Sequence, residues 1–291
     1  MMGGENLFLY HSDDGLFCMW CLDGMLAVEI DISSCDSSCS VYVFNKLREF
    51  IPKELLEDYD VLVEQCEMNA ILGWGPDKLK FKPDGPFLFS GSLLTTCLNN
   101  VALLCIFLFI NDNVDYQVLS RNEARNTIEK LLKICGWKVT CDYYDNLAES
   151  SFLKTFCVQN ELGGYDACLC LGVTLRAMGQ TKKDLPGRGC VIQRAEKFMR
   201  DWALGLRHAG RHPLNEMLEQ KWSGGDQAIF TSRAMENLHN GTGNSILLES
   251  LVQRYGITNS QFLSMVHGIS QMEVGSTYAD DMTRIILRKD Y

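Results

Sequence analysis

The chain has 291 residues, 46% of them apolar and 22% charged, with a formal net charge of −10. It is long enough for one large core or two smaller ones, and its composition is that of a globular protein. No N-terminal stretch joins a basic start, an apolar centre and a small-residue cleavage site, so secretion is not indicated, and the longest apolar run, residues 101–110, is far short of the roughly 20 residues a membrane-spanning helix needs.

Residues 6–10 and 16–20 are short runs rich in apolar and aromatic side chains, separated by the polar turn 11–15. They predict a β-hairpin with Asp13 and Asp14 at its tip. Leu22-Asp23-Gly24-Met25 follows at once, and residues 26–32 read as another strand, because Asp-Gly between apolar runs is a strong hairpin cue. A turn centred on Asp23-Gly24 sets Asp31 near Leu16 and Asp14 near Ser33. The two acid clusters then lie at the same end of adjacent antiparallel strands, roughly 3 to 7 Å apart along the strand. The pattern sets this register to within a residue, which leaves open which side chains share a face.

Residues 41–50 read as a helix, and 52–85 as a mixed segment with turn signals at 73–76 and 83–86, consistent with an inserted subdomain. From Ser92 a helix of about 19 residues is expected to run to Ile110, apolar on nearly every side after Val101. Thr95 and Asn99, four apart, share one of its faces. Ser120 with Glu123 is a capping-box pattern opening a further helix that Gly136 closes. Residues 137–141 read as a strand and 151–158 as a strand in a hairpin. Helices dominate from Gln193 onward: Val191, Ala195, Phe198, Trp202 and Leu206 recur at helical spacing, and 244–255, 259–267 and 278–287 follow.

Thirteen cysteines, an odd number scattered through apolar segments, indicate reduced thiols in a cytosolic setting. Cys18-x2-Cys21 and Cys35-x3-Cys39 have zinc-like spacing, but they fall on or beside strands, where the first pair frames a turn. Charge is uneven. Between Arg176 and His212 nine Lys or Arg (176, 182, 183, 188, 194, 197, 200, 207, 211) stand against three acids (184, 196, 201), about +6 in an otherwise acidic chain. Such a band is either a polyanion-binding surface or a solvated helix face.

Asp13, Asp14 and Asp31 place three carboxylates at one end of a small sheet. Two-metal nucleotidyl transfer needs such carboxylates around two divalent ions about 4 Å apart. Hard oxygen ligands suit magnesium or manganese. The pair Asp280-Asp281 shows that an Asp-Asp doublet alone is weak evidence; the strand-turn-strand setting distinguishes the first pair. Ser90-Gly91 ahead of a helix bearing Thr95 and Asn99, with Asp36 at the end of the neighbouring strand, offers hydrogen-bonding groups able to grip a ribose 2′-hydroxyl. The alternative is that Ser90 starts a helix whose Thr95 and Asn99 bond its own backbone.

As a set these residues resemble the palm of viral RNA-dependent RNA polymerases. The strand motif Asp-x4-Asp is matched by Asp31 and Asp36, the helix motif Ser-Gly-x3-Thr-x3-Asn by Ser90, Gly91, Thr95 and Asn99, and the hairpin motif Gly-Asp-Asp by Ser12-Asp13-Asp14. Gly136-Trp137-Lys138-Val139-Thr140 is similar to the fourth palm motif, and Phe152-Leu153-Lys154 to the primer grip. The order hairpin, strand, helix is that of permuted polymerases of permutotetraviruses and, more distantly, birnaviruses. A tight Asp23-Gly24 turn can make this rewiring without disturbing a ferredoxin-like sheet.

The resemblance implies an α+β fold: a right-hand palm with a ferredoxin-like antiparallel sheet and flanking helices over residues 1–157, a fingers insertion at about 45–85, and a mainly helical thumb over 158–291, with the N-terminal fingers absent. It implies RNA synthesis with two Mg2+ or Mn2+ ions held by Asp13, Asp14 and Asp31, ribose selection by Asp36, Ser90, Gly91, Thr95 and Asn99, and a primer grip at Phe152, Leu153 and Lys154. Many relatives carry a lysine shortly after the Thr of the fourth motif; here Asp142-Tyr143-Tyr144-Asp145 follows, so Lys138 takes the role of acid toward pyrophosphate. Expected partners are an RNA template and product and ribonucleoside triphosphates. The expected setting is host-cytoplasmic replication complexes or the virion. A catalytically inactive RNA-binding or scaffolding module and a reverse-transcriptase-like palm are the alternatives.

Overall fold

Residues 7–32 fold as three consecutive antiparallel strands, β1 (Leu7–His11), β2 (Asp14–Cys21) and β3 (Gly24–Ile32), because two tight turns reverse the chain. In this computed structural model, which describes residues 6–74, 76–178, 184–185, 187–230 and 244–291, the chain divides into two compact units, Met1–Asn146 and Leu147–Tyr291. The division falls ahead of the 157/158 boundary expected from sequence, so Phe152, Leu153 and Lys154 belong to the second unit.

In the first unit β3 is followed by the short helix α1 (Cys35–Ser38), then α2 (Val41–Phe50) and α3 (Leu56–Glu67). The β4 (Ala70–Trp74) and β5 (Asp77–Phe81) hairpin comes next. The long helix α4 (Thr95–Asn113), α5 (Arg121–Leu132) and β6 (Val139–Tyr144) complete it. α2 to β5 occupy the segment expected as an insertion. Gly73 sits where an added Cβ would lie 2.5 Å from the Asp77 carbonyl, so this turn admits only glycine there.

The sheet order is β1-β2-β3-β6, antiparallel throughout. Alternation sends Phe17, Met19, Leu26, Val28 and Ile30 to one face, where they form a core with Leu98, Leu103, Ile106 and Ile110 of α4 and Ala124 and Ile128 of α5. By length and composition α4 could cross a membrane, but its buried residues belong to this core, as in many soluble proteins.

The register differs from expectation. Cys21 pairs with Gly24, so the loop is Leu22-Asp23, and Asp14 faces Asp31 while Leu16 faces Glu29. Docking to α5 explains the shift: Asp23 Oδ1 accepts the Arg121 N–H at 2.7 Å, and the Leu22 N–H donates to the Leu119 carbonyl at 2.9 Å. The Arg121 N–H also holds the Asp23 carboxyl below its usual pKa. α5 carries the expected capping box between Ser120 and Glu123. α4 begins at Thr95 instead of Ser92, because Gly91 takes φ 86° and the Thr95 N–H closes a turn on Ser92.

The second unit opens with a hairpin, β7 (Thr155–Gln159) and β8 (Tyr165–Leu169), and continues as helices α6 (Leu171–Ala177), α7 (Val191–Gly205) and α8 (Pro213–Lys221). α9 (Leu248–Gln253), α10 (Asn259–Ser270) and α11 (Asp281–Asp290) follow. β7 starts later than the expected Ser151 because Leu153 and Lys154 form a turn with φ 52° and 61°. Trp202, Leu206, Leu214, Phe262, Met265 and Ile286 centre the core. Asp290 is buried against Arg254 (3.2 Å), accepts from Tyr255 Oη (3.1 Å) and accepts the Gly172 N–H (2.8 Å). Asp280 caps α11 through the Thr283 N–H at 2.7 Å, a local helix-start role for that Asp-Asp pair.

Candidate active site

Asp13, Asp14 and Asp31 lie at one end of the four-stranded sheet. The Ile32 N–H donates to the Asp13 carbonyl at 3.3 Å. The next pair, Asp14 and Asp31, is then the closer, non-hydrogen-bonded kind, whose Cα atoms typically stand about 4.5 Å apart with both side chains on one face. That face is opposite the core, and both residues are exposed. Thr140, facing Asp31 from β6, donates its hydroxyl to Asp31 Oδ2 at 3.3 Å. Lys138 extends this ladder by accepting the Ser33 N–H at 2.9 Å. It lies two residues before Thr140, hence on the same side of the strand.

Asn99 ties three chain-distant motifs together. Only 1% exposed, its Nδ2 donates to Asp36 Oδ1 at 2.8 Å and to Ser12 Oγ at 3.2 Å. Its Oδ1 accepts from Cys39 Sγ at 3.7 Å. The neighbouring Asn100 accepts the Ser12 N–H on Oδ1 at 2.7 Å. Ser12 itself, at φ 58°, takes the left-handed turn conformation that leads into Asp13. Cys35 and Cys39 are buried beneath Asp36, and the hydrogen bond between the two thiols, then burial, raises the Cys35 pKa far above the ordinary thiol range.

The other residues singled out in the sequence divide. Ser90 and Gly91 are exposed in the loop before α4, with nothing within 4 Å of where a Gly91 side chain would start. Thr95 bonds backbone, its hydroxyl donating to the Phe89 carbonyl at 3.4 Å, so of the Thr95/Asn99 pair only Asn99 reaches the other motifs. In the second unit, Lys154 Nζ donates to the Asp290 carbonyl at 2.9 Å and stands 4.9 Å from the Tyr291 ring centre. Among the described residues, four cations of the basic band are ion-paired: Arg194 with Asp184, Lys197 with Asp201 and Asp226, Arg207 with Glu219, and Arg211 with Glu216. Lys182 and Lys183 lie outside the described residues.

Asp13, Asp14 and Asp31 are hard oxygen donors of the kind magnesium and manganese take, so the donor set fits in chemistry. Among the described residues, however, no three His, Cys, Asp or Glu side chains are gathered closely enough to cage an ion as they stand. Asn100 was missed in the sequence, and Ser12 and Thr140, though inside matched motifs, were given no role of their own there. The Asn99-Asn100 doublet at the start of an otherwise apolar helix was the available signal, since two adjacent amides there need partners.

No protein-family model matches this sequence, and no curated protein matches it. Among solved structures it is similar to the birnavirus VP1–VP3 complex and to the RNA polymerase VP1 from Infectious Pancreatic Necrosis Virus, each with a TM-score of 0.50 and 10% identity. Both matches cover 98% of this chain and 40% of the other, so the chain spans less than half the length of those polymerase chains. At that identity the likeness is one of fold alone.

Proposed function

We propose that this chain is the catalytic core of an RNA-dependent RNA polymerase with a permuted palm, adding ribonucleotides to an RNA 3′-end during viral genome replication. The observation that supports the reading most is the pair of hydrogen bonds by which Asn99 joins Ser12 and Asp36, residues far apart in the chain, as a palm with altered chain order requires. The strand order supports it too: the Asp13-Asp14 hairpin, the Asp31 strand and β6 lie side by side.

Asp13, Asp14 and Asp31 would hold two Mg2+ or Mn2+ ions, which when bound acidify the 3′-hydroxyl and stabilise the leaving pyrophosphate. The chain's own groups do the rest. Asp36 and Asn99 read the ribose, with Ser90, Gly91 and Thr95 shaping the loop beside it. Lys138, on the side of the sheet that carries Asp31, supplies a proton toward pyrophosphate. Phe152, Leu153 and Lys154 form the primer grip, and the second unit is the thumb, tracking RNA backbone along its basic band. The fingers insertion corresponds to α2 through β5. The motif order is shared with permutotetravirus and birnavirus polymerases alike, and Ser12-Asp13-Asp14 at the hairpin is closer to the permutotetravirus form; replication complexes in the host cytoplasm or virion are the setting.

The Asp36–Asn99 hydrogen bond favours a ribose-selecting site over a reverse-transcriptase-like palm, which needs a bulky residue to exclude the 2′-hydroxyl. The ungathered carboxylates keep an inactive RNA-binding module as the second reading. Primer extension on an RNA template with magnesium or manganese separates them. Asp13→Ala and Asp31→Ala are each expected to lower synthesis by about a thousandfold or more; undiminished synthesis in both overturns the assignment.

A further inference from the structure

The donor count at Asn99 carries a consequence for ribose recognition, and it rests on the polymerase reading above. A side-chain amide has two N–H donors. At Asn99 one goes to Asp36 and the other to the Ser12 hydroxyl, while Oδ1 takes the Cys39 thiol. In this conformation Asn99 has no N–H left for a ligand, and it is buried. A ribose hydroxyl can therefore gain an Asn99 N–H only by displacing a partner. Asp36 is the stronger acceptor, being charged and closer at 2.8 Å against 3.2 Å, so Ser12 is the partner that yields.

We infer that Ser12 is a specificity-determining residue: its hydroxyl stands in for the ribose 2′-hydroxyl on Asn99 and is displaced when a ribonucleotide binds. The position of Ser12 gives the exchange a second effect. Ser12 is held at two points by consecutive residues of α4, its hydroxyl by Asn99 and its N–H by Asn100 at 2.7 Å, in a backbone conformation that L side chains rarely adopt. Asp13 is the next residue. Losing the Asn99 contact leaves the Ser12 side chain released and its N–H still held to α4 by Asn100, so occupancy of the ribose site is felt at the carboxylate beside it. A nucleotide lacking the 2′-hydroxyl cannot trigger the exchange, since it offers nothing in place of the Ser12 oxygen.

The test compares binding of a ribonucleoside triphosphate and its 2′-deoxy analogue, in magnesium, to wild-type protein, Ser12→Gly and Ser12→Ala, by calorimetric titration. Glycine adopts φ 58° without strain, so Ser12→Gly removes the hydroxyl and keeps the turn; Ser12→Ala keeps a Cβ and guards against an effect of added flexibility. With no competing hydroxyl, both variants are expected to bind the ribonucleotide about three- to tenfold more tightly, the worth of one hydrogen bond. Affinity for the deoxynucleotide should stay unchanged, so the ratio widens. An unchanged ratio, an equal gain for both nucleotides, or loss of ribose preference overturns the role of Ser12 and leaves the polymerase reading standing. Failure of wild-type protein to bind either nucleotide overturns that reading, and this inference with it.

Discussion

Asp14 and Asp31 are direct partners across β2 and β3, two carboxylates facing each other on the side of the sheet away from the core. Like charges directly opposite in an antiparallel pair destabilise it, and a divalent cation between them reverses the sign. The protein is therefore expected to melt a few degrees higher with millimolar magnesium than with chelator, by mass action on the folded state. Asp31→Asn should remove most of that difference and melt higher than wild type in chelator. Identical melting of wild type and variant under both conditions argues against cation binding here.

His212 sets an acid limit on the second unit. It is fully buried at the start of α8, neither ring nitrogen has a hydrogen-bond partner among the described residues, and burial lowers its pKa to about 3. The unfolded chain binds this proton near pH 6.5 and the folded chain does not, so the stability the neutral ring allows is complete above about pH 6.5 and is lost as pH falls toward 3. At 1.36 kcal/mol per unit, on the order of 3 kcal/mol goes between pH 6.5 and 4. His212→Leu should flatten that part of the profile, measured by urea unfolding at several pH values; a slope equal to wild type would show that the ring protonates in place.

Asp290 is the buried acceptor of the second unit, its side chain 0% exposed against an Arg254 side chain at 3%. Removing one partner of such a pair leaves an uncompensated buried charge, at about 3 to 5 kcal/mol. Asp290→Ala also strips the acceptor from Tyr255 Oη and the Gly172 N–H. Chemical denaturation should show the transition of this unit moved by that amount, with Asp290→Asn intermediate because it keeps an oxygen for the two neutral donors.

The turn at Leu153-Lys154 is strained by its residue types. Phe152 and Thr155 exchange both backbone hydrogen bonds, at 2.7 and 3.0 Å, around two residues with positive φ. Such turns prefer Asn-Gly. Leu153→Asn is expected to stabilise the second unit by roughly 0.5 to 1 kcal/mol, read from its thermal midpoint, while leaving Lys154 on the Asp290 carbonyl.

Sequence by itself determined the local devices of this chain. The Ser120–Glu123 capping box, the apolar helix after Ser92, the hairpins around Asp13 and Asp23, and the co-location of Asp14 with Asp31 all depend on neighbours a few residues apart, whose sterics and hydrogen bonds are written in local spacing. Tertiary structure decided the rest. The hairpin register shifted because Asp23 was recruited by Arg121, 98 residues away, a pull that no turn rule contains. Lys154 was committed to Asp290, 136 residues on, and much of the basic band to nearby acids. Above all, Asn99 found Asp36 and Ser12 across 63 and 87 residues. Its burial between them follows from packing α4 on the sheet: once the helix is seated, an amide at that position must satisfy its donors with whatever the sheet end presents.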